Sequence, residues 1–388
     1  MATIVLTDTA RGIRVESLHL SPGVGGLPGW DAGSLTKRTL RGGKSDGVDL
    51  VEVDSGSLRL AILPTRGMGL WKGSYRGDSL GWKSPITDGP VHPGLVNLAG
   101  LGGLGWLDGF DELMVRCGLE SVGPPFADGP FQQTLHGRIA NLPAHYLAVH
   151  VDEQSPHDLV VEGHVDESRL FGPRLRMKTT VTFRPGTNRV TVRDEFINLK
   201  DTPGELEVLY HWNFGPPHLE EGSRLVAPIR ALAPRDATSE KGLADYETYG
   251  PPTAGFAEEA FFLKLHSAGP DGRTLAMLRN KGGDKGIALR FSHAEMPTFT
   301  VWKNTGPLAD GYVTGLEPGT NFPNPKPHER EKGRIMTLAP GQSHVAETVL
   351  EVLDTAEAVA RIAAEVAALQ TKGEPVVYPH PTESIHSA

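Results

Sequence analysis

The chain has 388 residues, 38% of them hydrophobic and 22% charged, with a formal net charge of −9. That is an ordinary globular composition with ample apolar material for a core. Its acidic balance argues against nucleic acid, which is bound by positive surfaces that displace counterions, and no apolar run reaches the roughly 18 residues of a membrane helix.

A single cysteine, Cys117, cannot close an internal disulfide. The opening MATIVLTDTARG lacks the basic-then-apolar pattern of a secretory leader, so a cytoplasmic location is expected. The first clear element is LRLAIL at 58–63, which reads as a strand. Segment 86–133 then shows neither strand nor helix period and is rich in Gly and Pro (HPGLVNLAGLGGLGWLDGFDEL). A loop region of that length in a compact domain is usually functional or disordered. Its Trp106, Phe110, Leu113 and Met114 predict order, with the segment packed on a sheet and walling a ligand site.

Beyond it, LVVEGHV (159–165), RMKTTVTF (176–183), RVTVRDEF (189–196), LEVLY (206–210) and TFTVW (298–302) are short alternating runs. Period-two patterning with β-branched residues predicts antiparallel strands with one face on a core. PGTN at 185–188 predicts a hairpin turn. Only TAEAVARIAAEVAALQ at 355–370 has helical spacing, with Thr355 as its N-cap. The chain therefore reads as an all-β, mainly antiparallel protein with one C-terminal helix. A single domain over 1–371 and a loosely held tail over 372–388 are expected.

Three stretches could carry chemistry. TLHGR (134–138) sets His136 and Arg138 around a glycine, which removes bulk where a ligand would approach. YHWNFG (210–215) closes a strand with His211, Asn213 and aromatics. GLEPGTNFP (315–323) puts Glu317 in a Gly/Pro-rich turn after a strand. A carboxylate and an imidazole are the pair that moves protons on sugar oxygens near neutral pH. Each alone has a bland reading as a core or surface residue, and sequence does not show that they converge.

At these residues the chain resembles the galactose mutarotase-like (aldose 1-epimerase) superfamily, in its DUF4432-type bacterial branch. His136 in Leu-His-Gly looks like the first active-site histidine. NRVTVRDEFINLKDTPGELEVLYHWNFG (188–215) looks like the strand, loop and strand that deliver the second, His211. GLEPGTNFP resembles the stretch bearing the catalytic glutamate, Glu317, and LAPGQ (338–342) resembles the Leu-x-Pro-Gly before the last strand. The resemblance implies a large β-sandwich, a monosaccharide or sugar-derivative substrate and no cofactor. It implies Glu317 as general base, His211 as general acid and His136 as a sugar-binding group. Arg66, Arg138, Asn213, Trp302 and Asn321 are the further substrate-binding candidates, since guanidinium forks suit hydroxyls or a carboxylate.

Departures from the family sit in the would-be site. Arg138 stands where a second glycine is usual, and the insert with Asp108, Asp111, Glu112 and Arg116 has no evident counterpart. Mutarotation is the leading expectation. Proton abstraction on an oxidised or acidic sugar, by an epimerase or lyase, is the alternative, as is a non-catalytic sugar-binding protein. No metal is expected: His92, His136, His211, His218 and Glu317 supply ligands, but no close His pair exists. Cys117 has no partner base to mark it as a nucleophile. A homo-oligomer is left open.

Overall fold

The alternating runs all form strands. In the computed structural model, which describes residues 3–23, 30, 33–152, 158–382 and 385, two large sheets of ten and fourteen strands share one apolar core. The architecture is a mainly antiparallel β-sandwich. Leu159–Ser168, Arg174–Phe183 and Arg189–Asn198 pair antiparallel, with Val181 opposite Val161 on one side and Val192 on the other. Their inward residues, among them Val161, Met177, Val181, Val192 and Phe196, are buried in that core. The turn over 185–188 joins two of these strands.

The C-terminal helix spans Ala356–Gln370, and the Thr355 hydroxyl accepts from Ala358 N, one of the donors a helix start leaves free. Val359, Ile362 and Val366 cover Leu275, Met277 and Leu353 on the ten-stranded sheet. Burial of that kind is worth roughly 1.5–3 kcal/mol per side chain. The described part of the C-terminal tail is docked: Val376–Val377 pairs with Ala231 and Leu232, and Ile385 is buried beside Phe262 and Phe322. Among the described residues, no helix is long and apolar enough to cross a membrane.

Segment 86–133 departs from a pure loop. Met114–Leu119 is a full strand of the larger sheet, placed between Gly69–Tyr75 and Gly204–Phe214. All six of its residues are buried, so it carries no polar-apolar alternation for a sequence pattern to reveal. The rest of the segment forms short turns and the small hairpin of Phe126–Asp128 with Phe131–Gln133.

A polar clamp crosses the core and ties together three strands, Met114–Leu119, Arg189–Asn198 and Gly204–Phe214. The Arg116 guanidinium donates to Asp194 Oδ2 at 2.5 Å and Oδ1 at 3.0 Å, and Tyr210 Oη donates to Asp194 Oδ2 at 2.6 Å. Arg116 also donates to the carbonyls of Gly67 and Met68. All three side chains are buried. A fully partnered buried network of this kind specifies one arrangement of the strands, and loss of one partner would strand a buried charge.

Candidate active site

Strand alternation decides what faces the site. Along Gly204–Phe214, Leu206, Val208, Tyr210, Trp212 and Phe214 enter the core between the sheets. Leu209, His211 and Asn213 therefore project from the opposite face. Along Tyr312–Gly319, Tyr312 and Leu316 are in the core, so Val313, Gly315 and Glu317 share the outer face with His211. Leu209 pairs with Gly319 and Trp212 with Leu316, a register that sets His211 across from Glu317. On its other side Glu317 pairs with Thr300 of the Thr298–Thr305 strand.

His211 Nε2 lies 3.1 Å from Glu317 Oε1. The approach is within ion-pair distance but not aligned as a hydrogen bond, so Oε1 has no hydrogen-bond partner. Gly315 makes the approach feasible, because a side chain there would press on both Glu317 Oε1 and His211 Cε1.

His136 arrives from the loop. Its ring centroid is 5.7 Å from that of His211. Its backbone is left-handed (φ 57°), as is that of Gly137 (φ 70°). The strained turn is clamped by His136 N donating to Gly123 O, Gly118 N to His136 O and Arg138 N to Gly118 O. A Cβ on Gly137 would meet the carbonyls of Gly118 and Ser121 at 2.5 Å. That glycine serves backbone packing, not the open approach for a ligand expected from the sequence.

Aromatic rings wall the three groups. Trp106 meets His136 edge-on at 4.7 Å, Phe110 meets His211 at 5.2 Å, and Trp302 meets His211 at 5.5 Å. Trp82 lies 5.0 Å from Phe110, and Cys117, buried, belongs to the same apolar patch. The Gly-rich segment thus contributes two of these rings, Trp106 and Phe110. At the rim, Trp302 Nε1 donates to Glu258 Oε2 at 2.6 Å. Arg235 bridges Glu258 at 3.1 Å and Asp236 at 2.8 Å.

Burial sets the charge states. It pulls the His211 imidazole down to about 4, against a smaller opposing effect of Asn213. It pushes the Glu317 carboxyl well above the usual carboxylate range, opposed by Arg235. His136 is held well below its ordinary value by burial, then by His211 and Arg235. His136 keeps an accessible edge, yet protein surrounds the ring closely enough for this desolvation to dominate. His136 Nδ1, His211 Nδ1, Glu317 Oε1, Asn213 Oδ1 and Thr300 Oγ1 are all buried without a hydrogen-bond partner. Such atoms are rare in native interiors, and five of them stand together here.

The sequence model of the domain of unknown function DUF4432 matches residues 45–352, which include the whole site. The chain belongs to the DUF4432 family. A solved structure from Klebsiella pneumoniae subsp. pneumoniae MGH 78578, named a "putative aldose 1-epimerase", is 34% identical and covers 98% of each chain with a TM-score of 0.93. A galactose mutarotase-like protein from Clostridium acetobutylicum is 16% identical (TM-score 0.56, covering 83% of this chain and 98% of its own). The Slr1438 protein from Synechocystis sp. PCC 6803 is 14% identical (TM-score 0.54, covering 78% and 94%). These last two share the fold. No curated protein matches the chain.

The remaining candidate residues of this DUF4432 chain divide sharply. Trp302 joins the wall, and Asn213 lies beneath it, its Nδ2 donating to the carbonyls of Glu112 and His211. Arg66 does not offer itself to a ligand. It is 2% exposed, and its fork is taken by Glu112 Oε1 at 2.7 Å, Val91 O, Gly109 O and Asn141 Oδ1. It ties down the Gly-rich segment. Asn321 is likewise buried and donates to Glu207 Oε1 and Phe322 O. The charge of Arg138 is felt at the buried Glu167, on the side of the loop toward the ten-stranded sheet. Glu317 lies within a strand and not in the turn that GLEPG suggested, because Thr298–Thr305 pairs with it through Pro318 and Gly319.

No motif in the sequence marks Arg235, Asp236 or Glu258. A cavity of about 1170 Å³ beside Arg169, Phe171, Glu205 and Lys326 lies elsewhere and has no histidine in its lining. Among the described residues, no three His, Cys, Asp or Glu side chains stand together as a metal cluster.

Proposed function

We propose that this protein is an aldose 1-epimerase-type isomerase that interconverts the anomers of a neutral monosaccharide. The observation that carries the reading is the 3.1 Å approach of His211 Nε2 to Glu317 Oε1, with the rings of Trp106, Phe110 and Trp302 packed around the two histidines. The pair holds one proton between two sites. Burial keeps it on the carboxyl while the groove has no ligand, and hydroxyls of a bound sugar favour the ionised arrangement by supplying hydrogen bonds.

In that arrangement the Glu317 carboxylate takes the proton from the anomeric hydroxyl. The C1–O5 bond breaks as C1 becomes a carbonyl, and the His211 imidazolium delivers a proton to O5. Rotation about C1–C2 and the reverse transfers close the other anomer. The pair ends with the single proton it began with. Positioned proton transfer of this kind contributes about 10²–10⁴-fold. His136 and Asn213 would hold sugar hydroxyls, and the aromatic rings would cover its apolar C–H face.

The alternative, proton abstraction on an acidic sugar, calls for a free guanidinium at the groove. Arg235 is engaged by both Asp236 and Glu258, and Arg66 by four acceptors. A neutral sugar fits these rim charges better.

The test is exchange of pure anomers followed by proton NMR over a panel of aldoses and uronic acids. Wild-type protein is expected to accelerate exchange of a neutral aldose, and Glu317→Gln to return it to the buffer rate while still binding the sugar. A wild type that leaves every anomer at the buffer rate would sink the enzyme reading and favour a sugar-binding protein. A Glu317→Gln protein as fast as wild type would sink the assignment of the base.

A further inference from the structure

A second cluster of charged side chains stands on the larger sheet, away from the aromatic groove. Arg230 sits at the irregularity between Ile229, paired with Leu265, and Ala231, paired with Lys264. Among the described residues Arg230 has no ion pair or hydrogen bond, and its Nε is buried without a partner. Lys264 is 8% exposed, donates to Pro297 O at 3.1 Å and lies 5.5 Å from the centre of the Phe322 ring. Arg334 spends Nε and Nη2 on Glu329 at 2.7 and 2.5 Å, while its Nη1 is buried and unpartnered. His266 and His293 complete the group, each with Nε2 buried and unpartnered.

The side chains are close enough to feel one another. The charge of Arg230 acts on Lys264, His266 and His293, and that of Arg334 acts on Lys264. Burial, then these neighbours, pulls the Lys264 ammonium down to about 8. Among the described residues, three cations therefore share one carboxylate, Glu329, which Arg334 already occupies. Buried donors that repel one another and lack acceptors are costly unless an anion joins them.

We propose that Arg230, Lys264 and Arg334, with His266 and His293, form a binding site for a phosphate-type dianion. The excess of two positive charges matches a dianion better than a monocarboxylate. The guanidinium groups supply planar forks of the kind that grip phosphate oxygens, and the lysine supplies a point charge. The stacked rings of Phe262 and Phe322, 4.6 Å apart, stand between this cluster and the groove, since Phe262 pairs with Thr300 and Thr300 with Glu317. The site is independent of the sugar reading.

Inorganic phosphate is the probe, followed by 31P NMR line broadening and by the thermal midpoint of the full chain, with chloride at matched ionic strength as control. Phosphate is expected to broaden and to raise the midpoint of the wild type beyond chloride. Arg230→Ala and, separately, Lys264→Met are each expected to weaken binding by at least about tenfold, with unchanged far-UV circular dichroism. The proposal falls if phosphate acts no differently from chloride, or if both folded variants bind it as the wild type does.

Discussion

Gly315→Ala tests the geometry of the proposed proton pair without replacing either member. Gly315 is in a strand, outside the left-handed region that favours glycine, so alanine meets no backbone strain there. Its Cβ would stand 3.0 Å from His211 Cε1 and closer still to Glu317 Oε1. Restoring ordinary contact moves the carboxyl oxygen by about 1 Å, a displacement that can cost about 100-fold in rate. Overpacking of a buried site adds about 1–3 kcal/mol of destabilisation, little enough for a core of this size to remain folded. The expected outcome is a folded protein with a cooperative melt whose anomer exchange falls to a hundredth of the wild-type rate or less. A folded Gly315→Ala protein exchanging anomers at the wild-type rate would refute the argument. It would mean that the chemistry does not use the 3.1 Å pair.

Arg66→Met should remove the tie between Glu112 and the carbonyls of Val91 and Gly109, leaving a buried carboxylate unpaired. A loss of about 3–5 kcal/mol is expected from urea denaturation, with early proteolysis within 86–113; a stable variant with only a raised KM would restore Arg66 to sugar binding. Glu167 is 1% exposed, accepts from Leu119 N at 2.7 Å, and burial pushes its carboxyl up to about 7. The folded state keeps this proton after the unfolded chain has lost it, so its contribution falls as pH rises from the ordinary carboxylate range to about 7, then levels. The full loss is about 3 kcal/mol. Glu167→Gln cannot ionise, so the urea midpoint of the variant should gain on the wild type between about pH 5 and about pH 8; parallel pH profiles would show that the carboxyl is already ionised when folded.

How far the sequence reaches depends on what each residue's neighbours do to its pattern. The strands at 159–165, 176–183 and 189–196 were legible because one face is buried and the other wet, which writes a period of two into the chain. Met114–Leu119 was not, because both its faces are covered and all six residues are buried. His136, His211 and Glu317 were singled out by residue type and family resemblance. Their meeting follows from the sheet register, which puts His211 across from Glu317, a pairing no local spacing encodes. The arginines make the limit clearest. Arg66 after a strand looked like a ligand-binding guanidinium, yet it faces four acceptors. Arg230, in PIRALAP, belongs to no motif and has no partner among the described residues. A guanidinium reads the same in sequence whether its donors are filled or free; the count of acceptors around it is set by the folded chain. That count is what separates a structural clamp from a group that can take a ligand.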